Sequence, residues 1–324
     1  MRLPLRLANI AAIVALVPPA FGWGTPTRLP VRFAASDSRP SSSIDQVSER
    51  RYRIIGRIRL VLFWVGFDDV GGARMTRRSH DNATTLALLA GSDPQRAPRQ
   101  VNQWVYLREE TRVDRAEAFA LRTLGEQAPA QTDVSTGDAS LFSASCASIN
   151  HDRIDSAVTV STGKLTYRMF GHALDQVAES TRWQARHLSC PVGAAPGFLS
   201  ALERVMRGAP ASPFVYNGAL YDLNVRRRQS LGRRQVGART FDSLMRAELA
   251  IGSRENGETE TTTFSVTYAS GSTEIPLPVQ IFYQPSFWVS IELRQDDVAD
   301  VPPDPAESRS TLTRIQAICN VETE

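Results

Sequence analysis

The chain reads as an α+β protein dominated by β-structure: antiparallel sheets, ending in a C-terminal meander, with two or three helices in the middle of the chain. Three observations predict this. Phe214-Val215-Tyr216, Asn217-Gly218 and Leu220-Tyr221 form a hairpin signature, because Asn-Gly tolerates the positive φ angles of a type I′ turn. Phe287, Val289, Ile291 and Leu293 alternate with Trp288, Ser290, Glu292 and Arg294, the two-residue period of a strand with one buried face. Met169, Phe170, Ala173, Leu174 and Val177 recur instead at helical spacing, as do Phe198, Leu202, Val205 and Met206.

Residues 1–24 come first and have their own logic. Arg2 and Arg6 precede an apolar run, Leu7 to Val17, that exits through Pro18-Pro19-Ala20, the layout of a secretory signal peptide. The run is shorter than the roughly 20 apolar residues that cross a bilayer. The first cysteine is Cys146, so none follows the run to accept a lipid, and no second long apolar segment appears. The expectation is an exported, periplasmic or secreted protein that does not span a membrane, cut between Ala20 and Gly24.

Residues 25–50, with Pro26, Pro30, Pro40 and Ser41-Ser42-Ser43, read as a flexible lead-in. The body is expected over 51–294, as one β-rich unit or two lobes with a boundary near 126–140. From Arg53 an alternating segment runs into the apolar Leu60 to Val65, predicting a strand that enters the core. Asp68-Asp69-Val70-Gly71-Gly72 reads as the turn that ends it. Strands are expected at Thr85–Leu89 and Val101–Leu107. Over 114–125 two readings stand: a helix with an Asp114/Glu117 capping box, or a strand through Ala118–Leu124. Residues 126–140, rich in Ala, Pro, Ser and Gly, read as a linker or long loop. Helices follow at about 166–180 and after Pro196, which suits a first helical turn, with Gly208 beyond its end. The meander then takes Ala247–Ile251, Thr263–Tyr268, Val279–Tyr283 and the segment from Phe287. Pro276 and Pro278 suit an edge strand's start. Residues 295–324 read as an acidic tether and a short terminal element.

Composition narrows the function classes. The chain holds 37 basic and 34 acidic residues, and Arg2 and Arg6 leave with the leader, so the remainder is nearly neutral. That balance gives no reason to expect nucleic acid as a partner. The densest basic run, Arg226-Arg227-Arg228 to Arg239, reads as a strand end and loop with solvated charge. Lysine occurs once, at Lys164, and the arginines are spread along the whole chain. Phosphate-loop, dinucleotide and G-x-S-x-G motifs are absent, so no cofactor is expected.

Four groups of residues are candidates for chemistry. Cys146, His151, His187 and Cys190 superficially resemble a zinc pattern, but their spacings match no usual finger. Exported thiols tend to oxidise, so a Cys146–Cys190 disulfide is the preferred reading, with Cys319 left over. Asp68 and Asp69 sit where a buried strand emerges; with Asp93 they are the carboxylates a secreted hydrolase would use. Asp93, Arg96, Arg99, Asn102, Trp104 and Tyr106 are the candidate ligand-binding set. Asn102, Trp104 and Tyr106 share one face of a strand and would line a shallow recess with the arginines at its rim. The competing reading makes Trp104 and Tyr106 core, with Asp93 capping a turn.

Several local motifs taken together resemble a known family. They are Asp68-Asp69-Val70-Gly71-Gly72, Gly91-Ser92-Asp93-Pro94, Arg96-Ala97-Pro98-Arg99, Asn102-x-Trp104-x-Tyr106, Pro196-Gly197-Phe198-Leu199, Tyr216-Asn217-Gly218-x-Leu220-Tyr221, Phe264-x-Val266-Thr267-Tyr268 and Tyr283-Gln284-Pro285-x-Phe287-Trp288. Over about residues 52–294, with gaps, the chain is similar to exported bacterial proteins of acidobacterial type and unknown function. The resemblance implies export and an overall layout, and no activity. It also implies a dispensable cysteine pair and a strand near 116–124. The expected function is non-enzymatic binding of a small ligand or an envelope component, with the hydrolase as the alternative.

Overall fold

A computed structural model describes residues 46–60, 63–80, 82–123, 140–150, 153–163, 166–179, 183–254, 262–270, 277–287 and 289–319. The candidate signal peptide lies outside them. The described residues build one 14-stranded antiparallel sheet. Its strands are β1 (Gln46–Leu60), β2 (Phe63–His80), β3 (Ala83–Ser92), β4 (Trp104–Thr111), β5 (Ala116–Thr123), β6 (Ser140–Asn150), β7 (Arg153–Gly163), β8 (Gln184–Ser189), β9 (Ala211–Tyr216), β10 (Ala219–Val236), β11 (Arg239–Ser253), β12 (Thr262–Ala269), β13 (Pro278–Ser286) and β14 (Val289–Gln295). The spatial order is β8 through β1, then β14 back to β9, so β1 pairs with β14, Tyr52 opposite Gln295. Helices α1 (Phe170–Ala178) and α2 (Phe198–Met206) flank β8, and α3 (Arg309–Cys319) follows β14.

The sheet rolls until its two ends approach each other. Val215 of β9 packs with Ala147 and Ile149 of β6 and Ile154 of β7. An Arg186 guanidinium nitrogen also reaches the Gly218 carbonyl oxygen at 3.5 Å. Helix α2 lies inside the roll. Phe198, Leu199, Ala201, Leu202, Val205 and Met206 are all buried, while Glu203 and Arg204 form its less buried, polar side. It packs against inward residues from both halves, among them Tyr52, Leu88, Leu107, Phe214, Leu223, Val266 and Leu293. Each such side chain contributes about 1.5–3 kcal/mol of burial, which outweighs the weak intrinsic stability of a nine-residue helix.

A second apolar layer covers the outside of β3–β6. Trp104, Tyr106, Phe119, Phe142 and Cys146 meet Phe170 and Leu174 of α1, and Ile315 and Ile318 of α3. On the other half, Arg57, Arg246, Glu248 and Arg294 stand on the outer face. Charge there is the opposite of the apolar band a lipid-spanning barrel presents. Among the described residues no helix is long and apolar enough to cross a membrane.

Several expectations hold. The Asn217-Gly218 turn has φ of 49° and 74°, and Tyr216 pairs with Ala219 across it. Helices form at 170–178 and 198–206, and residues 116–123 are strand, the second of the two readings of that segment. The third helix is C-terminal rather than central.

Others are corrected. Leu60 to Val65 is a hairpin end, with Leu60 opposite Phe63, and Asp68 to Gly72 lies inside β2. There the register shifts between Ile54 and Gly56, so the sequence of a turn is used as a bulge, with Asp69 at φ 62°. Strand β1 starts at Gln46, shortening the lead-in, and β13, which Pro278 opens, is central rather than an edge. The two strands flanking the proposed linker, β5 and β6, are hydrogen-bonded neighbours; residues 126–139 are outside the described set. The run Arg226–Arg239 continues a hairpin instead of looping. The acidic tether is docked: Val301 and Asp304 are buried, and Asp304 accepts hydrogen bonds from Thr76 Oγ1, the Tyr106 hydroxyl and the Ala306 amide.

The disulfide is Cys146–Cys319, with Cα atoms 5.7 Å apart, and the expected Cys146–Cys190 bond is absent. Cys146 points outward from β6 toward α3, whereas Cys190 lies beyond β8 in the inner cluster near the seam. Residues on opposite faces of a sheet cannot bridge.

Candidate binding cleft

Strands β10 and β11 outrun their neighbours. Strand β9 stops pairing at Asn224 and β12 at Leu244, so residues 226–243 form a two-stranded arm. Three register shifts bend it, with Gly232 at φ 64°, a conformation glycine adopts at no steric cost. The Arg50 guanidinium lies 5.7 Å from the centroid of the Phe241 ring. At the tip, Gly237 (φ 59°) lies close to the Gln295 carbonyl: a Cβ there would stand 3.1 Å from that oxygen. Arg239 Nε is 2.7 Å from Asp297 Oδ2. This ion pair is about half exposed, so it holds the tip by at most about 1 kcal/mol.

Between the tip and the β1–β14 edge lies a cleft of about 350 Å³, within the range of small-molecule sites. Ile55, Val236, Ala238 and Val298 supply its apolar lining; Arg53, Arg239, Arg294, Asp68, Asp296 and Asp297 supply charge. Most of the charge is paired internally. Arg53 is 2.5 Å from Asp296, and Arg294 Nε is 2.6 Å from Glu292 Oε1. Asp296 also shapes the loop, accepting from the Val298 amide at 3.1 Å. Asp68 is different: it forms no ion pair or hydrogen bond among the described residues. The bulge at Asp69 separates the two adjacent carboxylates, sending Asp68 to the cleft and Asp69 to Arg96.

The residues singled out as a recess do not make one. Trp104 and Tyr106 are fully buried, Trp104 at 6.3 Å from the Phe142 ring and Tyr106 edge-on to Phe170 at 4.6 Å. Helix α1 and the docked C-terminal segment fill the face where a ligand would sit. Burial, and the Asp304 carboxylate next to it, push the Tyr106 hydroxyl well above its ordinary pKa. Asp93 caps its turn, accepting from the Gln95 amide at 3.0 Å and from Arg96 Nε at 2.9 Å. Against a burial penalty, these bonds hold its carboxyl below the usual range. Arg96 joins Asp93 to Asp69, so one guanidinium engages both of these candidate acids. Arg99 lies in a short 3-10 turn, Pro98–Gln100, and Asn102 is half-buried beside it. Asn102 does not line the cleft.

A second unusual carboxylate sits inside the roll. Glu109 of β4 is buried and accepts the Leu199 and Ser200 amides at the start of α2, both at 2.7 Å. Burial outweighs those bonds and pushes its pKa up to about 7. The space beside it is only about 20 Å³, room for about one water molecule and no substrate. Glu109 is therefore a helix cap. It also explains Gly197, where a Cβ would fall 2.4 Å from Glu109 Oε1.

No cluster of three metal-ligating side chains exists among the described residues, and the bond to Cys319 removes Cys146 from any zinc set. Sequence reasoning reached Asp68 in the cleft but missed Arg53, Arg239, Arg294, Asp296 and Asp297. The one signal that could have found them was Val236-Gly237-Ala238, a turn placed between two arginine-rich segments. No known protein family, curated protein or solved structure matches the chain.

Proposed function

We propose that the protein is an exported, non-enzymatic binding protein of the periplasm or the cell exterior, whose ligand is a small zwitterion held in the arm-covered cleft. An amino acid, a short peptide or an amino sugar from the envelope has the required chemistry. The observation that carries this is the unpaired Asp68 carboxylate in a cleft of about 350 Å³ with three guanidinium groups in its lining. Asp68 would take the ligand's ammonium. The arginine forks, about half exposed, would take its carboxylate, which fits their planar geometry. The leader-like N-terminus supports export, as does the disulfide, which suits an oxidising compartment. Membership of the acidobacterial-type family belongs to the same proposal. The hydrolase alternative has less support, because Asp69 and Asp93 are both engaged by Arg96, and the other acids of the cleft, Asp296 and Asp297, are engaged by Arg53 and Arg239.

Calorimetry with glycine, dipeptides, glucosamine, dicarboxylates and neutral sugars tests the reading. Amine-bearing zwitterions should bind, and Asp68→Asn should weaken them about tenfold or more, the worth of a charge-assisted hydrogen bond. An unchanged melting temperature would show that the fold is intact. Failure of every zwitterion, or affinity indifferent to Asp68→Asn, overturns the cleft. N-terminal sequencing of the exported protein tests export, with a start between Ala20 and Gly24 expected.

A further inference from the structure

Because β1 and β14 are neighbours, the β1–β2 and β13–β14 hairpins end side by side, with Leu60 opposite Phe63 and Ser286 opposite Val289. Trp64 and Phe287 meet there. At 41% and 55% exposure they are the two exposed aromatic side chains among the described residues, in a chain that buries its other described aromatics or half-buries them. Arg59, directly across from Trp64, lies between them. Its guanidinium carbon is 4.0 Å from the Phe287 ring centroid and 6.0 Å from that of Trp64. Arg59 forms no ion pair with any described carboxylate, and Arg57, 44% exposed, stands two residues behind it.

We propose that this paired hairpin end is a docking surface for an anionic lipid surface. Size argues against a second protein. Two aromatic side chains bury at most about 250 Å² each, well below the roughly 800 Å² per partner of a stable protein interface. Chemistry argues for the boundary between headgroups and acyl chains, where tryptophan rings settle and arginine keeps its head among phosphates while its stem lies on apolar surface. Arg59 makes the surface selective for negative charge, since Arg57 already faces Glu292 at 3.5 Å.

Vesicle co-sedimentation tests this, with phosphatidylcholine alone or mixed with phosphatidylglycerol. The chain should start at residue 25, which keeps every described residue and removes the apolar Leu7–Val17 run that would itself partition. Binding should rise with phosphatidylglycerol and fall with salt. Arg59→Gln should lower affinity for the mixed vesicles about fivefold, the worth of one interfacial arginine, and leave the weak binding to neutral vesicles unchanged. The Trp64→Ala/Phe287→Ala double variant should lose binding to both at an unchanged melting temperature. In the unaltered protein, brominated acyl chains should quench part of the tryptophan fluorescence, and Trp64→Phe should reduce that quenching. Absence of vesicle binding, or binding and quenching indifferent to these variants, overturns the proposal. Binding independent of lipid charge overturns the part assigned to Arg59.

Discussion

Replacing Cys319 with serine probes how the outer apolar layer is held. The bond spans a sequence separation of 173 residues, from β6 to the end of α3. In the chain-entropy model a loop of that size removes about 17 cal/mol/K from the unfolded ensemble, or about 5 kcal/mol at 25 °C. The alternative Cys146–Cys190 loop would give about 4 kcal/mol by the same formula. Residual structure in the unfolded chain makes both figures upper bounds. Guanidinium unfolding of Cys319→Ser beside the oxidised parent should therefore show a loss approaching 5 kcal/mol. The m-value should rise, because the uncrosslinked chain exposes more surface. Cys190→Ser should match the parent within about 1 kcal/mol. Non-reducing peptide mapping should join the Cys146 and Cys319 peptides and leave Cys190 open to alkylation. A mapped bond involving Cys190, or a Cys319→Ser variant as stable as the parent, would refute both the pairing and the reasoning.

Glu109 predicts a pH dependence with a definite sign. Its folded pKa of about 7 lies above the reference 4.5, so the native state holds the proton longer and stability falls as pH rises between those values, then levels off. At 1.36 kcal/mol per unit the loss is about 3 kcal/mol. Glu109→Gln should flatten that slope in melting curves from pH 4.5 to 8; a variant as steep as the parent sinks the assignment. Trp104→Ala should cost about 3–5 kcal/mol in denaturant unfolding, as a large core truncation does. If it keeps full stability, the core reading of Trp104 fails.

Legibility followed the chemistry of individual residues. The Asn217-Gly218 hairpin, α1, α2 and the strands from Ala247 onward were readable because a turn dipeptide or an apolar period acts locally. Strands β6 to β8 were not. Ser143, Ser145 and Ala147 face inward where the sheet ends converge, so small residues replace the bulky ones that mark a strand. The arm escaped detection because arginines at 226–228 and 233–234 suit an exposed two-stranded ribbon as well as a loop. Asp93 and Trp104 looked like a site since acids and aromatics line sites, but the same residues cap turns and fill cores. Which role they play depended on α1 and on Asp304, far away in sequence. The cleft joins residues 53, 68, 239 and 294–298, and no local period encodes such an encounter.

The pairing of Tyr52 with Gln295 sets an order on assembly. Strand β1 can pair with β2 as soon as that hairpin emerges, but its other edge waits for β14, the last strand made. For that interval β1 is an open edge, and open edges recruit strands from other chains. Arg50, Arg51, Arg53, Arg57 and Arg59 all lie on this strand, and two of them, Arg53 and Arg57, wait for the later segment to bring Asp296 and Glu292. During synthesis they act as gatekeepers, opposing intermolecular pairing by charge repulsion. Once β14 docks, Arg53 and Arg57 become ion-pair partners of Asp296 and Glu292, and that part of the protection is built into the finished wall.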